Sequence, residues 1–142
     1  MATFSKFNDF AEQLTLGTHN LNTATFKIAL TNSAPVATNT VLANITQIAN
    51  GNGYTTGGST VPNTALSETS GTATFVGDAV TFTASGSSMA AFQYAVIYND
   101  TATNDELVGW WDYGSALTLA VGETFTVKPS NAATGGTILT LA

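Results

Sequence analysis

The chain has 142 residues, no arginine and no cysteine, and its three lysines stand against nine acidic residues for a formal net charge of −6. This composition argues against nucleic-acid binding, which needs clustered basic side chains, and the lack of thiols excludes disulfides, cysteine nucleophiles and cysteine metal sites. Only 8% of the residues are charged and 44% are apolar. We therefore expect one domain, residues 1–142, with a surface of hydroxyl and amide groups.

Three phenylalanines recur at helical spacing near the N-terminus. Phe4, Phe7 and Phe10 predict a short helix or arm over residues 4–15, and Gly17 suits the left-handed position after its end. This apolar stripe is wider than so short a helix needs. It either docks on the core of its own domain, which is the preferred interpretation, or inserts into a neighbouring subunit.

The next segments predict one strand, a short helical region and a loop. Residues 25–31 alternate apolar and polar side chains, which indicates a half-buried strand. The apolar spacing within 41–49 favours a helical turn or two over a strand. Residues 50–64 are rich in Gly, Asn and Thr around Tyr54, and this composition is typical of a long surface loop.

Gly77-Asp78 has the sequence of a two-residue hairpin turn. With that turn, Phe75 faces Val80 and every apolar residue of one strand opposes an apolar residue of the other. A slip of one residue would expose Phe75 and Phe82, so the pattern predicts a hairpin with a well-defined register.

Residues 92–98 and 107–111 are apolar on both faces and flank the polar loop 99–106, which predicts two central antiparallel strands. The large apolar residues on either side of residues 120–122 all have odd numbers, so this stretch forms either a hairpin with a three-residue loop or a strand that crosses between sheets. They are Leu117, Leu119, Phe125 and Val127. Residues 138–141 predict a last strand. The fold class expected is all-β, an antiparallel β-sandwich of jelly-roll type with a short N-terminal helix.

Candidate chemistry is sparse. His19 lies in a predicted turn with no partner in view, so we interpret it as a polar loop residue rather than a base or ligand. The acidic stretch 100–106 is interpreted as a solvated turn in preference to a calcium site. No spacing singles out a pair of carboxylates, and we predict no catalytic, cofactor-binding or metal-binding residue.

The aromatic run Trp110, Trp111 and Tyr113 invites a different role. Adjacent residues of a strand point to opposite faces, so both tryptophans are buried only if both faces of the sheet are covered. Otherwise one of them lies in an interface. Exposed aromatic rings serve as anchors between proteins or as platforms for sugars, and we favour an interface.

No stretch approaches the roughly 20 apolar residues of a membrane span, and the N-terminus lacks the pattern of a secretory signal. We therefore expect a protein that is made in a cytoplasm and does not contact a membrane.

Several motifs together resemble a family of small virion structural proteins of tailed bacteriophages. The resemblance spans most of the chain, in the segments FKIALTNSAP at 26–35, GNGY at 51–54, AVIYNDT at 95–101, LVGWWDYG at 107–114 and GETFTV at 122–127. Such proteins resemble capsid decoration or cement proteins, and some relatives look like tail or fibre components.

The resemblance implies a non-enzymatic protein that is made in the host cytoplasm and sits on the capsid exterior. Its partners would be the major capsid protein and further copies of itself in a symmetric homo-oligomer, such as a trimer. The alternative is a tail-fibre or receptor-binding module that binds glycans. The family has no catalytic residues to transfer and requires no cofactor. The interface candidates are the aromatic residues Phe4, Phe7, Phe10, Trp110, Trp111 and Tyr113.

Overall fold

The computed structural model describes residues 2–130 and 136–142. These residues form ten strands and one α-helix, and every pairing between the strands is antiparallel. The predicted fold class, an all-β antiparallel sandwich with a short N-terminal helix, is confirmed. The elements are β1 (Thr3–Lys6), α1 (Asp9–Thr15), β2 (Phe26–Thr31), β3 (Ser59–Thr60), β4 (Ala65–Thr69), β5 (Thr72–Gly77), β6 (Val80–Thr83), β7 (Phe92–Asn99), β8 (Leu107–Leu117), β9 (Thr124–Val127) and β10 (Gly136–Leu141).

One layer is a five-stranded sheet in the order β1-β8-β7-β2-β3. β7 is central because it pairs with β2 on one side and with β8 on the other, which confirms the two central strands predicted at 92–98 and 107–111. The strand predicted at 25–31 is also present as β2. It is buried on both faces rather than half-buried, because a second layer of side chains covers the outside of this sheet.

The opposite layer consists of two smaller sheets, β10-β5-β4 and β6-β9. The main core lies between the layers, where, for example, the ring of Phe26 on β2 lies 4.9 Å from the ring of Phe75 on β5. Burial of each such side chain stabilises the fold by roughly 1.5–3 kcal/mol.

A second, smaller core covers the other face of the five-stranded sheet. Its side chains come from β2, β7, β8 and the segments that follow β1 and β2. They are Phe7, Ala29, Ile45, Val96, Tyr98 and Leu107, with Leu42 and Trp110 packed against them.

The N-terminal segment differs from the helix predicted over residues 4–15. Thr3–Lys6 form the edge strand β1, and only Asp9–Thr15 are helical. Phe4 is aligned with Trp111 across β1 and β8. Spacing of three residues is also compatible with a strand followed by a turn and a helix, so pairing with the distant β8 decides the conformation. No helix among the described residues is long and apolar enough to cross a membrane.

The hairpin predicted at Gly77-Asp78 is wrong. β5 lies between β4 and β10, while β6 pairs with β9, so β5 has no free edge for β6 and the chain crosses between the two small sheets. A hairpin forms one strand earlier. Ser70 and Gly71, with φ of 51° and 83°, make the two-residue turn between β4 and β5. The phenylalanines of β5 and β6 are nevertheless buried, as expected.

The helical region predicted within 41–49 is a single 3-10 turn, Leu42–Asn44. The β-branched residue that follows it, Ile45, is extended, as is typical of that residue class.

The stretch predicted as a surface loop, 50–64, is mostly loop but contains β3, and its central residue Tyr54 is buried. The Tyr54 hydroxyl accepts a hydrogen bond from the Leu30 N–H at 3.2 Å and donates one to Gln47 Oε1 at 2.6 Å. The loop is therefore fastened to β2 by a buried side chain.

Of the two alternatives for 117–127, the structure shows the strand that crosses between sheets. β8 ends at Leu117 in the five-stranded sheet, and β9 pairs with β6 in the opposite layer. Gly122 takes the expected positive φ in the intervening turn. The last strand predicted at 138–141 is present as β10.

Two glycines with similar backbone angles allow a test of the packing of loop 50–64 on β2. Gly58 and Gly17 have φ of 73° and 84°, but a β-carbon on Gly58 would collide with the Ile28 carbonyl, whereas one on Gly17 would meet no atom within 4 Å. We expect Gly17→Ala to lower the free energy of unfolding by about 1–2 kcal/mol and Gly58→Ala to lower it by roughly 1–3 kcal/mol more. Urea unfolding measures both, and equal losses would contradict the packing described.

Candidate functional site

Four of the six interface candidates form two aromatic pairs, each between a phenylalanine of the N-terminal segment and a tryptophan of β8. The ring of Phe4 lies 4.9 Å from that of Trp111, and the ring of Phe7 lies 4.5 Å from that of Trp110. Trp111 belongs to the main core and Trp110 packs against the second core. The two tryptophans therefore point to opposite faces, as predicted, and both faces are covered by this chain.

The other two candidates have contrasting positions. Phe10 is buried on α1 and stacks on His19, with ring centroids 5.1 Å apart. Tyr113 is 53% exposed, more than any other of the six. It is therefore the candidate that the described chain leaves free to contact a partner.

A large bulge in β8 places Tyr113 at the surface. Phe92 and Tyr94 of β7 are aligned with Leu117 and Asp112 of β8, so residues 113–116 stand opposite the single intervening residue of β7. Bulges bend a strand and redirect its side chains. Here the strand between the two aligned pairs leaves the ladder, and its four residues are exposed.

Hydrogen bonds hold the base of the bulge. The Asp112 carboxylate accepts one from the Gly114 N–H at 2.7 Å and one from Gln93 Nε2 at 3.0 Å. Gly114 has φ of 95°, a conformation that glycine adopts without steric cost. The bulge is therefore a defined turn rather than a loose excursion.

Beside the bulge, the ends of β7, β8 and β9 enclose a groove of about 200 Å³. The ring of Tyr113 meets that of Phe125 edge to face at 5.5 Å, and the ring of Phe125 meets that of Phe92 at 4.9 Å. We call this the aromatic groove. Its walls also include Trp111, Tyr94, Val127, Lys128 and Ser130.

The groove suits binding better than reaction chemistry. Its walls are mainly aromatic and aliphatic, and Lys128 supplies its charged side chain. Edge-to-face ring pairs add about 0.5–1.5 kcal/mol each beyond their buried area, so Phe92 and Phe125 form a stable base beneath Tyr113. Such a surface is pre-formed and loses little side-chain freedom on binding.

The acidic stretch 100–106 makes hydrogen bonds and an ion pair with its own chain. Asp100 pairs with Lys27 at 3.0 Å, and Glu106 accepts hydrogen bonds from both the backbone and the side chain of Asn104. Burial and the neighbouring Asp100 carboxylate raise the pKa of Asp105. Within residues 2–130 and 136–142 no group of three His, Asp or Glu side chains is arranged to hold a metal ion.

His19 lies in the loop after α1, as predicted, but it is buried there. Its Nδ1 lies 3.3 Å from Asn99 Nδ2, which also donates a hydrogen bond to the Thr18 carbonyl. The other end of the Asn99 amide is fixed, because its Oδ1 accepts the N–H groups of Thr101 and Ala102. His19 Nδ1 must therefore be an acceptor, and the ring is neutral with its hydrogen on Nε2.

Burial lowers the pKa of His19 below its usual 6.5. The Glu106 carboxylate, the Leu107 backbone and Asp9 favour the protonated ring, but they do not offset the loss of hydration. Nε2 has no hydrogen-bond partner of normal geometry among the described residues. His19 thus acts as a buried structural link between α1 and the end of β7.

Sequence reasoning identified Trp111 and Tyr113 but not the residues that complete the groove. Phe125 and Phe92 lie on other strands, and their approach depends on β9 crossing to the opposite layer. The one local signal was Gly114 after a run of strand residues, since an isolated glycine in a strand often marks a bulge.

Comparison of the chain with models of known protein families, with curated proteins and with solved structures found no match.

His19 is the only histidine in the chain, which makes its titration testable. Because its pKa is lowered in the folded state, the unfolded state binds more protons as the pH falls through about 6.5, so stability decreases as the pH falls from there towards the folded pKa. We expect the Tm to drop between pH 7.5 and 5. His19→Gln keeps an acceptor for Asn99 but cannot titrate, and it should flatten this slope. Equal slopes for both proteins would contradict the assignment.

Proposed function

We propose that this chain is a non-enzymatic structural protein of a phage virion, of the capsid decoration or cement type. In this proposal it is made in the host cytoplasm, forms a homo-oligomer and binds the major capsid protein on the outer shell. The observation that supports it best is the bulge of β8, which presents Tyr113 above the aromatic groove. The motif at 107–114, which resembles phage virion proteins, lies on β8, and the similar motif at 95–101 begins on the neighbouring β7.

The chemistry of the groove fits a protein partner. Tyr and Trp are enriched among the residues that dominate binding energy between proteins, usually in a pocket that excludes water. Tyr113 is rigid on one side because it packs against Phe125. The chain's net charge of −6 would keep it off nucleic acid and disfavour acidic surfaces, so attachment would depend on shape and apolar contact.

The acidic side chains support a structural role. Glu68, Asp112 and Glu123 each accept a hydrogen bond from a backbone N–H of their own turn, at 2.6 to 2.7 Å. A catalytic carboxylate needs access to a substrate and a partner that tunes its pKa. Carboxylates that anchor separate turns are unsuited to that task, and we propose no enzymatic activity.

A glycan-binding module of a tail fibre is the second candidate. It is favoured by one feature of the groove, in which Lys128 and Ser130 lie beside aromatic rings. Sugar sites combine ring faces with a few polar groups in this way.

The proposal is tested on empty shells of the parent phage that were assembled without this protein. We expect the purified chain to bind them and to raise the temperature at which they disrupt. Tyr113→Ala should weaken binding roughly 30-fold, which corresponds to about 2 kcal/mol at a central interface residue. Because the side chain is half exposed, the same change should cost the monomer about 1 kcal/mol of stability or less.

Leu16→Ala is the matched control. Leu16 is 68% exposed, directly follows α1 and lies outside the aromatic groove. It should leave shell binding unchanged. Absence of shell binding by the unmodified chain would refute the decoration role. Selective retention on a glycan array, lost in Tyr113→Ala, would support the second candidate instead.

A further inference from the structure

Strand β4 is an open edge of the small sheet β10-β5-β4. It pairs with β5 on one side only, and all five of its residues, Ala65–Thr69, are exposed. No backbone group among the described residues pairs with its outer side. An unpaired strand edge presents a row of donors and acceptors that another strand can extend.

The turn at Ser70-Gly71 fixes which groups point outward. A two-residue hairpin is closed by a hydrogen-bonded pair, here Thr69 with Thr72, and such pairs alternate along the ladder. The N–H and C=O groups of Leu66 and Glu68 therefore face away from β5.

Three features that commonly block edge pairing, lysine, proline and a bulge, are absent from β4. Natural edge strands are commonly protected by lysine, proline or a bulge. Strand β1 ends on Lys6, and β9 runs directly into Lys128 and Pro129. The ladder between β4 and β5 is continuous without a bulge, and β4 contains neither lysine nor proline.

β4 also carries an uncovered apolar side chain. Leu66 is aligned with the buried Phe75, so it lies on the core-facing side of the sheet, yet it is 39% exposed. It borders a shallow groove of about 310 Å³ whose apolar walls include Leu14, Ala73 and Leu141. Leu66 therefore lies at an edge of the sheet that α1 and the loop after it do not fully cover.

We propose that β4 pairs with β4 of a second copy of this chain about a two-fold axis, which joins two small sheets into one continuous six-stranded sheet. Antiparallel pairing of a strand with itself matches every donor with an acceptor, and it forms the isologous interface typical of dimers. The inference deepens the proposed function, since it names the surface through which the chain self-associates.

Charge and side-chain pairing select the register. If the two-fold axis passes beside Leu66, this residue lies opposite Leu66 of the partner subunit, and Glu68 lies opposite Thr64 of the partner subunit. Centring it on Ser67 would oppose Leu66 to a carboxylate, and centring it on Glu68 would oppose two carboxylates, which is destabilising.

The strand that pairs with β4 is β4 of a second copy, because this edge can pair with itself without placing two charges opposite each other. Glu68 is the only charged residue of β4, and its Oε1 is turned back to accept the Gly71 N–H at 2.6 Å. The net charge of −6 disfavours self-association in general, and β4 contributes only this one charge to a contact between two copies.

Sedimentation velocity of the purified chain, without any shell, tests the inference. We expect a dimer of twice the 14.6 kDa of one chain. Leu66→Lys should raise the dimer Kd at least tenfold, since it removes the apolar pair and adds charge at the axis. The matched control is Val121→Lys, at a residue that is 60% exposed in the turn before β9, and it should leave the dimer intact.

Hydrogen exchange distinguishes loss of the dimer from loss of folding stability in either variant. In the dimer the outward amides of Leu66 and Glu68 should be protected, and in Leu66→Lys they should exchange rapidly while the amides of β7 stay protected. A monomer, a trimer, or a dimer that Leu66→Lys leaves intact would overturn the inference. Because Leu66→Lys keeps Tyr113, its shell binding reports on the proposed function separately.

Discussion

The burial of strand β7 on both faces is the constraint on which the rest of the molecule depends. Ala95 and Ile97 face the main core, while Val96 and Tyr98 face the second core. A strand that is apolar on both faces is stable in water only if a layer covers each face. The two small sheets supply one layer. The segment after β1, the 3-10 turn and the residues that follow it supply the other, so even the irregular parts of the chain fold against β7.

Much of this arrangement can be predicted from local sequence patterns. The predictions that failed concern contacts between residues far apart in the chain. The central strands could be predicted because their apolar runs are bounded by polar loops. The pattern around Gly77-Asp78 matched a hairpin equally well, but sequence does not reveal that β4 and β10 already occupy both edges of β5. Phe4 could likewise belong to a helix or a strand, and its partner Trp111 lies more than a hundred residues away. Pairing over long sequence separations decides both cases.

The candidate site was predictable in part for the same reason. Aromatic residues close together in sequence drew attention to β8, and the opposite orientation of its tryptophans followed from strand geometry. The groove itself requires Phe125 to arrive from the other layer, and burial of His19 requires Asn99 to arrive from the end of β7. The acidic side chains were visible in sequence, but the use of Glu68, Asp112 and Glu123 as anchors of their own turns emerged only from three-dimensional contacts.

The bulge of β8 separates the exposed tip of the strand from the paired framework. The ladder is in register at Asp112 and again at Leu117, so the number of residues between them is not dictated by the pairing of β7 with β8. Residues 113–116 are exposed, and none of them belongs to either core. The exposed tip of this strand can therefore change in sequence while the framework beneath it keeps its fold.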